Sequence, residues 1–171
     1  MFLIEGSSPR VVTSDLLTKA DFQTIARQLS ATPFAASKTA QVAARLATVA
    51  EPVETRWNGL ESRDVAHAGD YVVTNLGNGR IPLRDRDGHV NTYVVRSTRF
   101  PELYERAEGT MPHGDVYRAR GMVEALYLPG GFEILAPWGE TQRATAGYLI
   151  LNGDEIYGNA KETFEATYAP M

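Results

Sequence analysis

The sequence predicts an α+β protein: an N-terminal helix followed by a duplicated, mostly antiparallel β-barrel or sandwich, with each half closed by a short helical turn. Three observations lead there. One amphipathic helical pattern lies near the start, in "SDLLTKADFQTIARQLSATP". Two phrases, "AGDYVVTN" (68–75) and "AGYLILN" (146–152), each read as a tight turn opening onto an apolar strand. Each is followed by a tyrosine, then a phenylalanine seven residues on and another tyrosine four beyond that: Tyr93, Phe100 and Tyr104, then Tyr157, Phe164 and Tyr168.

Taken in order, "FLI" and "RVVT" around Gly-Ser-Ser-Pro suggest two short strands about a turn. A helix is expected over about 15–30. Leu16, Leu17, Ala20, Ile25, Ala26 and Leu29 recur at helical spacing, Ser14 offers a cap and Pro33 blocks continuation. The alanine-rich 38–50 favours helix by propensity. Its likeness to the later "DVYRARGMVEALYL", where β-branched and aromatic residues mix with Gly121, argues for strand from about Gln41. "VETRWNGLESRDVAHAGDYVVTN" then parallels "FEILAPWGETQRATAGYLILN", with Trp57 and Trp138 each ahead of a glycine turn. Phe and Tyr four apart share one face of a helical turn, so Phe100 with Tyr104 and Phe164 with Tyr168 are expected in the core. The domain organisation expected is an N-terminal helical segment over 1–40, a first β-rich repeat over 41–105 and a second over 106–171. "RAEGTMPHGD" would serve as linker. One such unit has too little core alone, and two would share one.

The repeats differ at one place. Between the last two strands the first carries "GNGRIPLRDRDGHV" (77–90), where the second has only Gly-Asp. Asn78-Gly79 and Asp87-Gly88 are tight-turn signals, so an extra strand or projecting hairpin is expected there, bearing Arg80, Arg84, Arg86 and His89.

Composition narrows the function. The chain has 171 residues, 43% of them apolar, and a formal charge of −4, which argues against broad phosphate neutralisation on nucleic acid. The absence of cysteine removes disulfides, thiolate metal sites and a cysteine nucleophile. "MFLIEGSSPR" lacks the basic region of a secretory leader, and no apolar run reaches the roughly 18 residues of a spanning helix. A cytoplasmic protein with no membrane association is expected.

No catalytic constellation stands out. Asp85-Arg-Asp87-Gly-His89 has alternating ligand types but not the glycine and glutamate positions of an EF-hand loop, so no metal and no cofactor are expected. His67, His89 and His113 form no paired motif, and Gly-x-Ser-x-Gly and Walker patterns are absent. "PGGFEI" reads as a hairpin turn. Trp57 and Trp138 could stack on a ligand, although a tryptophan beside a turn more often plugs the end of a β-layer. Arg45, Arg56, Arg118, Arg120 and Arg143 would suit an anion if they lined one groove.

The repeated pattern of Gly-Asp-aromatic-apolar-apolar, then Tyr, then Phe-x-x-x-Tyr resembles the C-terminal part of small phage- and prophage-type proteins that carry no assigned activity. The likeness covers about 60 residues. The second copy lacks the aspartate after Gly147, and neither has the proline that follows the tyrosine in that group. The resemblance implies a small β-rich unit.

The function expected is a non-enzymatic binding or interaction module for an anionic small molecule or a protein partner. Trp57, Arg80, Arg84, Arg86, His89 and Trp138 are the candidate contacts. The alternatives are a small hydrolase or transferase using His67 or His89 with Asp70 or Asp87, and a structural subunit of a larger assembly.

Overall fold

The computed structural model describes every residue from Met1 to Met171. In chain order the elements are β1 (Leu3–Glu5), β2 (Arg10–Leu16), α1 (Lys19–Gln28), β3 (Phe34–Lys38), β4 (Val42–Leu46), β5 (Glu51–Arg56), β6 (Leu60–Ala66), β7 (Tyr71–Asn75) and β8 (Thr92–Val95). They continue with α2 (Phe100–Leu103), β9 (Tyr104–Met111), β10 (Gly114–Ala119), β11 (Val123–Leu128), β12 (Phe132–Leu135), β13 (Thr141–Ala144), β14 (Gly147–Asn152), β15 (Glu155–Ala160), α3 (Lys161–Thr167) and β16 (Tyr168–Pro170). The chain divides into two compact units, one of residues 1–37 with 122–171 and one of 38–121. The sequence had suggested boundaries near 40 and 105.

The first unit holds a four-stranded sheet ordered β1-β2-β12-β13 and a five-stranded sheet ordered β15-β14-β11-β3-β16. All pairs described in both are antiparallel except β2 with β12, which run parallel. Helix α1 starts later than its apolar spacing suggested. Thr18 accepts from the amide of Asp21 while Asp21 accepts from that of Thr18, a reciprocal capping box that outcompetes a cap at Ser14. Ser14 to Leu16 therefore extend β2. The helix buries Phe22, Ile25 and Ala26 against Leu126, Phe132, Ile134 and Leu149. Burying Phe22 and Ile25 stabilises the unit by about 1.5–3 kcal/mol each.

The second unit holds a five-stranded antiparallel sheet ordered β8-β7-β4-β10-β9 and the separate β5-β6 hairpin. Residues 42–46 are strand despite their alanines. β4 lies between two strands, and Val42, Ala43 and Ala44 are buried in it, so tertiary pairing overrides local propensity. The stretch expected as a linker, 106–115, is a hairpin in which β9 pairs with β10. Short helical turns do precede β9 and β16, with Phe100 and Phe164 buried. Tyr104 is buried, whereas Tyr168 is half-buried.

The expectation of a barrel is corrected: each sheet has two edge strands and none closes on itself. In the five-stranded sheets the edges are β8 and β9 in one unit and β15 and β16 in the other. Closure would need those edges to pair, and they do not.

Candidate functional site

The 77–90 segment leaves β7 after Leu76 and returns to β8 at Asn91, but it does not project as a free hairpin. A single turn of 3-10 helix covers Asn78–Arg80. The chain then comes back alongside its own root. Leu76 bridges Pro82, the amide of Leu83 donates to the Asn75 carbonyl at 2.8 Å, and the amide of Asn91 donates to the Leu83 carbonyl at 2.8 Å. Arg84 bridges Val90 and closes a tip over 85–89. Beneath it, the buried Asn75 amide donates to the Asn91 side chain at 2.7 Å.

Asp85 organises this tip. Its side chain is fully buried. It accepts three backbone amides, from Asp87, His89 and Asn58, each at 2.9 Å. The Asn58 side chain in turn accepts the Arg86 amide at 3.1 Å, which staples the tip to the β5–β6 turn. Burial works against the charge on Asp85. The amides of His89, Asn58 and Asp87 outweigh it and hold the carboxyl below its ordinary range. Ligating atoms of Asp85, Asp87 and His89 lie within 4.8 Å of one another. Both Asp85 oxygens already accept amides, so this group is built as a hydrogen-bonded turn.

Of the two carboxylates expected as partners for histidine, Asp70 is engaged elsewhere and Asp87 is exposed. Nδ1 of His89 stands 3.5 Å from Asp85, which is beyond good hydrogen-bond length. His67 is exposed and meets Asp70 through its backbone: its amide donates to the Asp70 carboxylate at 3.0 Å and its carbonyl accepts the Asp70 amide at 2.9 Å. Asp70 also accepts the Ser97 amide at 3.1 Å and the Arg96 guanidinium at 3.3 Å. Burial again opposes the charge, and the His67 and Ser97 amides with Arg96 hold the carboxyl low. Asp87 is exposed and gives its amide to Asp85.

The other candidates separate by role. Arg80 is half-buried, and its Nε donates to Gln41 at 3.1 Å. Its guanidinium lies so near Gly109 that a Cβ there would stand 2.4 Å from it, so Arg80 is tied into the sheet. Arg84 and Arg86 are exposed, with Arg84 also donating to the Gly88 carbonyl at 2.9 Å. Trp57 and Trp138 are half-buried in the β5–β6 and β12–β13 turns of different units, each with a buried indole N–H lacking a partner. Trp138 leans on Tyr157 at 5.6 Å between rings. Of the five strand arginines, Arg45 pairs with Glu51, Arg56 with Glu54, Arg118 and Arg120 with Glu105, and Arg143 with Glu133. These are surface ion pairs of small energetic weight, and their charges are matched within the fold.

One cluster escaped the sequence reading. Lys38 Nζ donates to the hydroxyls of Tyr93 at 2.8 Å and Tyr104 at 3.1 Å, and those hydroxyls meet at 2.5 Å. The ammonium also lies over both rings, 5.1 and 5.5 Å from their centroids. Burial lowers the lysine to a pKa of about 7, although the residue as a whole keeps some exposed surface. Nothing local announces this group, because its members are 55 and 66 residues apart. Only the chemistry of a lysine at a strand end could have drawn attention to it.

No protein-family model, curated protein or solved structure gives a significant match to the chain. No helix is long and apolar enough to cross a membrane.

Proposed function

We propose that this chain is a binding module, and that its recognition surface is the outer face of the 84–89 tip, meeting an anionic group. The observation that carries the reading is the division of labour in that segment. Asp85 is turned inward and holds the loop through three amides. Arg84, Arg86 and His89 are left exposed with only one exposed carboxylate, Asp87, among them. A loop whose shape is set from below loses little entropy when it binds. Two guanidiniums supply the forked donors that suit carboxylates and phosphates. The hydrolase or transferase reading has less support, since a general base needs a carboxylate to orient it: Asp70 is committed to backbone amides and Arg96, and Asp87 lies exposed on the tip.

The same reading treats the two units as copies of one module in a sandwich-like α+β protein. Register supports it. Tyr71 and Val73 face Leu46 and Ala44, as Tyr148 and Ile150 face Tyr127 and Ala125. Tyr93 faces Val73 as Tyr157 faces Ile150. Continued two residues back along the strand, this alignment sets Val42 beside Val123. The 77–90 segment is then an addition to one copy.

Titrating the ¹⁵N-labelled protein with sodium pyrophosphate at low ionic strength tests the binding surface. Saturable shifts are expected at the amides of 84–90, lost in the Arg84→Glu/Arg86→Glu variant. Absence of shifts, or equal shifts in the variant, would overturn the reading.

A further inference from the structure

We propose that Lys38, flanked by the hydroxyls of Tyr93 and Tyr104, is a covalent capture site for small aldehydes or ketones, which it binds as an imine. The inference is independent of the anion surface and uses other residues.

Three features of the cluster fit that chemistry. An amine must be uncharged to attack a carbonyl carbon, and burial favours the uncharged form of Lys38. An ordinary lysine, with a pKa of about 10.4, is neutral in only about one part in 2,500 at pH 7. Two phenols stand within hydrogen-bond distance of the nitrogen and of each other, so a proton can be handed between them. Lys38 and Tyr93 are half-buried as whole residues, so the cluster lies close beneath the surface.

The step balances without any other reactant. The Nζ lone pair forms a bond to the carbonyl carbon, and the carbonyl π pair moves to oxygen, which takes a proton from a tyrosine hydroxyl. The phenoxide recovers a proton from the nitrogen, giving a carbinolamine. A second proton, supplied by the same hydroxyl pair, lets that oxygen leave as water while the nitrogen lone pair closes the C=N bond, and the phenoxide left behind takes the remaining proton from the iminium nitrogen. The two protons lost from Lys38 end in the water released.

The fold does not need this lysine. β3 leads into β4 with Lys38 four residues before Val42, and β10 leads into β11 with Ala119 four residues before Val123. Ala44 and Ala125, two residues further on in each case, hold matching registers in their sheets. The strand end is thus built without an amine in one case and with one in the other.

The test uses the full chain, which has only three lysines, Lys19, Lys38 and Lys161. The protein is incubated at pH 7 with propanal and cyanoborohydride, which traps imines as stable secondary amines, and adducts are mapped by peptide mass spectrometry. Lys38 is expected to be modified at least tenfold faster than Lys19, which is exposed, and than Lys161, whose charge is held by a hydrogen bond to Glu165. In Tyr93→Phe and Tyr104→Phe, each checked for native circular dichroism, the Lys38 rate is expected to fall at least fivefold while Lys19 is unchanged. Labelling of Lys38 no faster than Lys19 overturns the proposal. Unchanged Lys38 rates in both folded tyrosine variants overturn the assignment of the hydroxyls.

Discussion

Gly158→Ala adds one methyl group to the middle of a strand, where alanine is ordinarily no worse than glycine. Here it should be harmful. Gly158 lies on β15 opposite Leu149, and the Phe132 ring fills the space its missing side chain leaves. A Cβ at 158 would stand 2.4 Å from Cζ of Phe132 and 2.5 Å from Cε1, where ordinary contact begins at 3.4 Å. The ring must retreat by about 1 Å. It has nowhere to go: Phe132 is completely buried among Val11, Ile134 and Leu149, and a Cβ at Gly147 would also meet it, at 2.7 Å. Interiors at crystal-like density do not yield freely, and overpacking of this kind costs about 1–3 kcal/mol. The gain from restricting the unfolded chain, about 0.4–1 kcal/mol, is smaller, so the variant should be destabilised. Phe132→Ala alone should cost about 3–5 kcal/mol through the cavity it opens. In the double variant the new methyl enters that cavity, and the combined loss should fall short of the sum by about 1 kcal/mol or more. Urea unfolding followed by circular dichroism measures all three variants. A neutral or stabilising Gly158→Ala, or strict additivity in the double variant, would refute the packing argument.

Two further outcomes follow from the same structure. Phe164 is buried and stacks on Tyr148 at 4.1 Å and on Tyr168 at 4.7 Å, so Phe164→Ala should cost about 3–5 kcal/mol; an unchanged urea midpoint would show that the rings are not core. Asp70 and Asp85 have folded-state pKa values below their unfolded ones, so their contribution is complete above the unfolded value of about 3.9 and is lost as pH falls through the folded values. Stability measured from pH 7 down to 2.5 should therefore drop more steeply in the native protein than in Asp70→Asn/Asp85→Asn, and identical acid limbs would show that neither carboxylate is held by its amides.

Much of the β-rich character was open to reading because it is written locally. Tyr71 to Asn75 and Gly147 to Asn152 carry strand composition after turn signals, and both form strands. Phe100 and Phe164 announce their burial by standing four residues from a second ring. The tip at 85–89 was foreseen as a turn from Asp87-Gly88, and its exposed Arg84, Arg86 and His89 from their charge. What a turn signal cannot convey is the partner on the other side. The backbone amide of Asn58, 27 residues away, decides that Asp85 faces inward and that the segment lies back along its own root. The same dependence on distant partners explains the remaining differences. Alanines 43 and 44 form strand because β7 and β10 flank them, and residues 106–115 form a hairpin because β9 and β10 pair. Edge strands that stay apart leave open sheets where alternating apolar residues would equally have suited a barrel. The lysine–tyrosine cluster belongs wholly to this second class. Lys38 is unremarkable in sequence, Tyr93 and Tyr104 stand out there only as repeat positions, and only the tertiary structure sets the three within 3.1 Å of one another, because hydrogen-bond geometry between side chains is fixed by the packing of strands and not by their order along the chain.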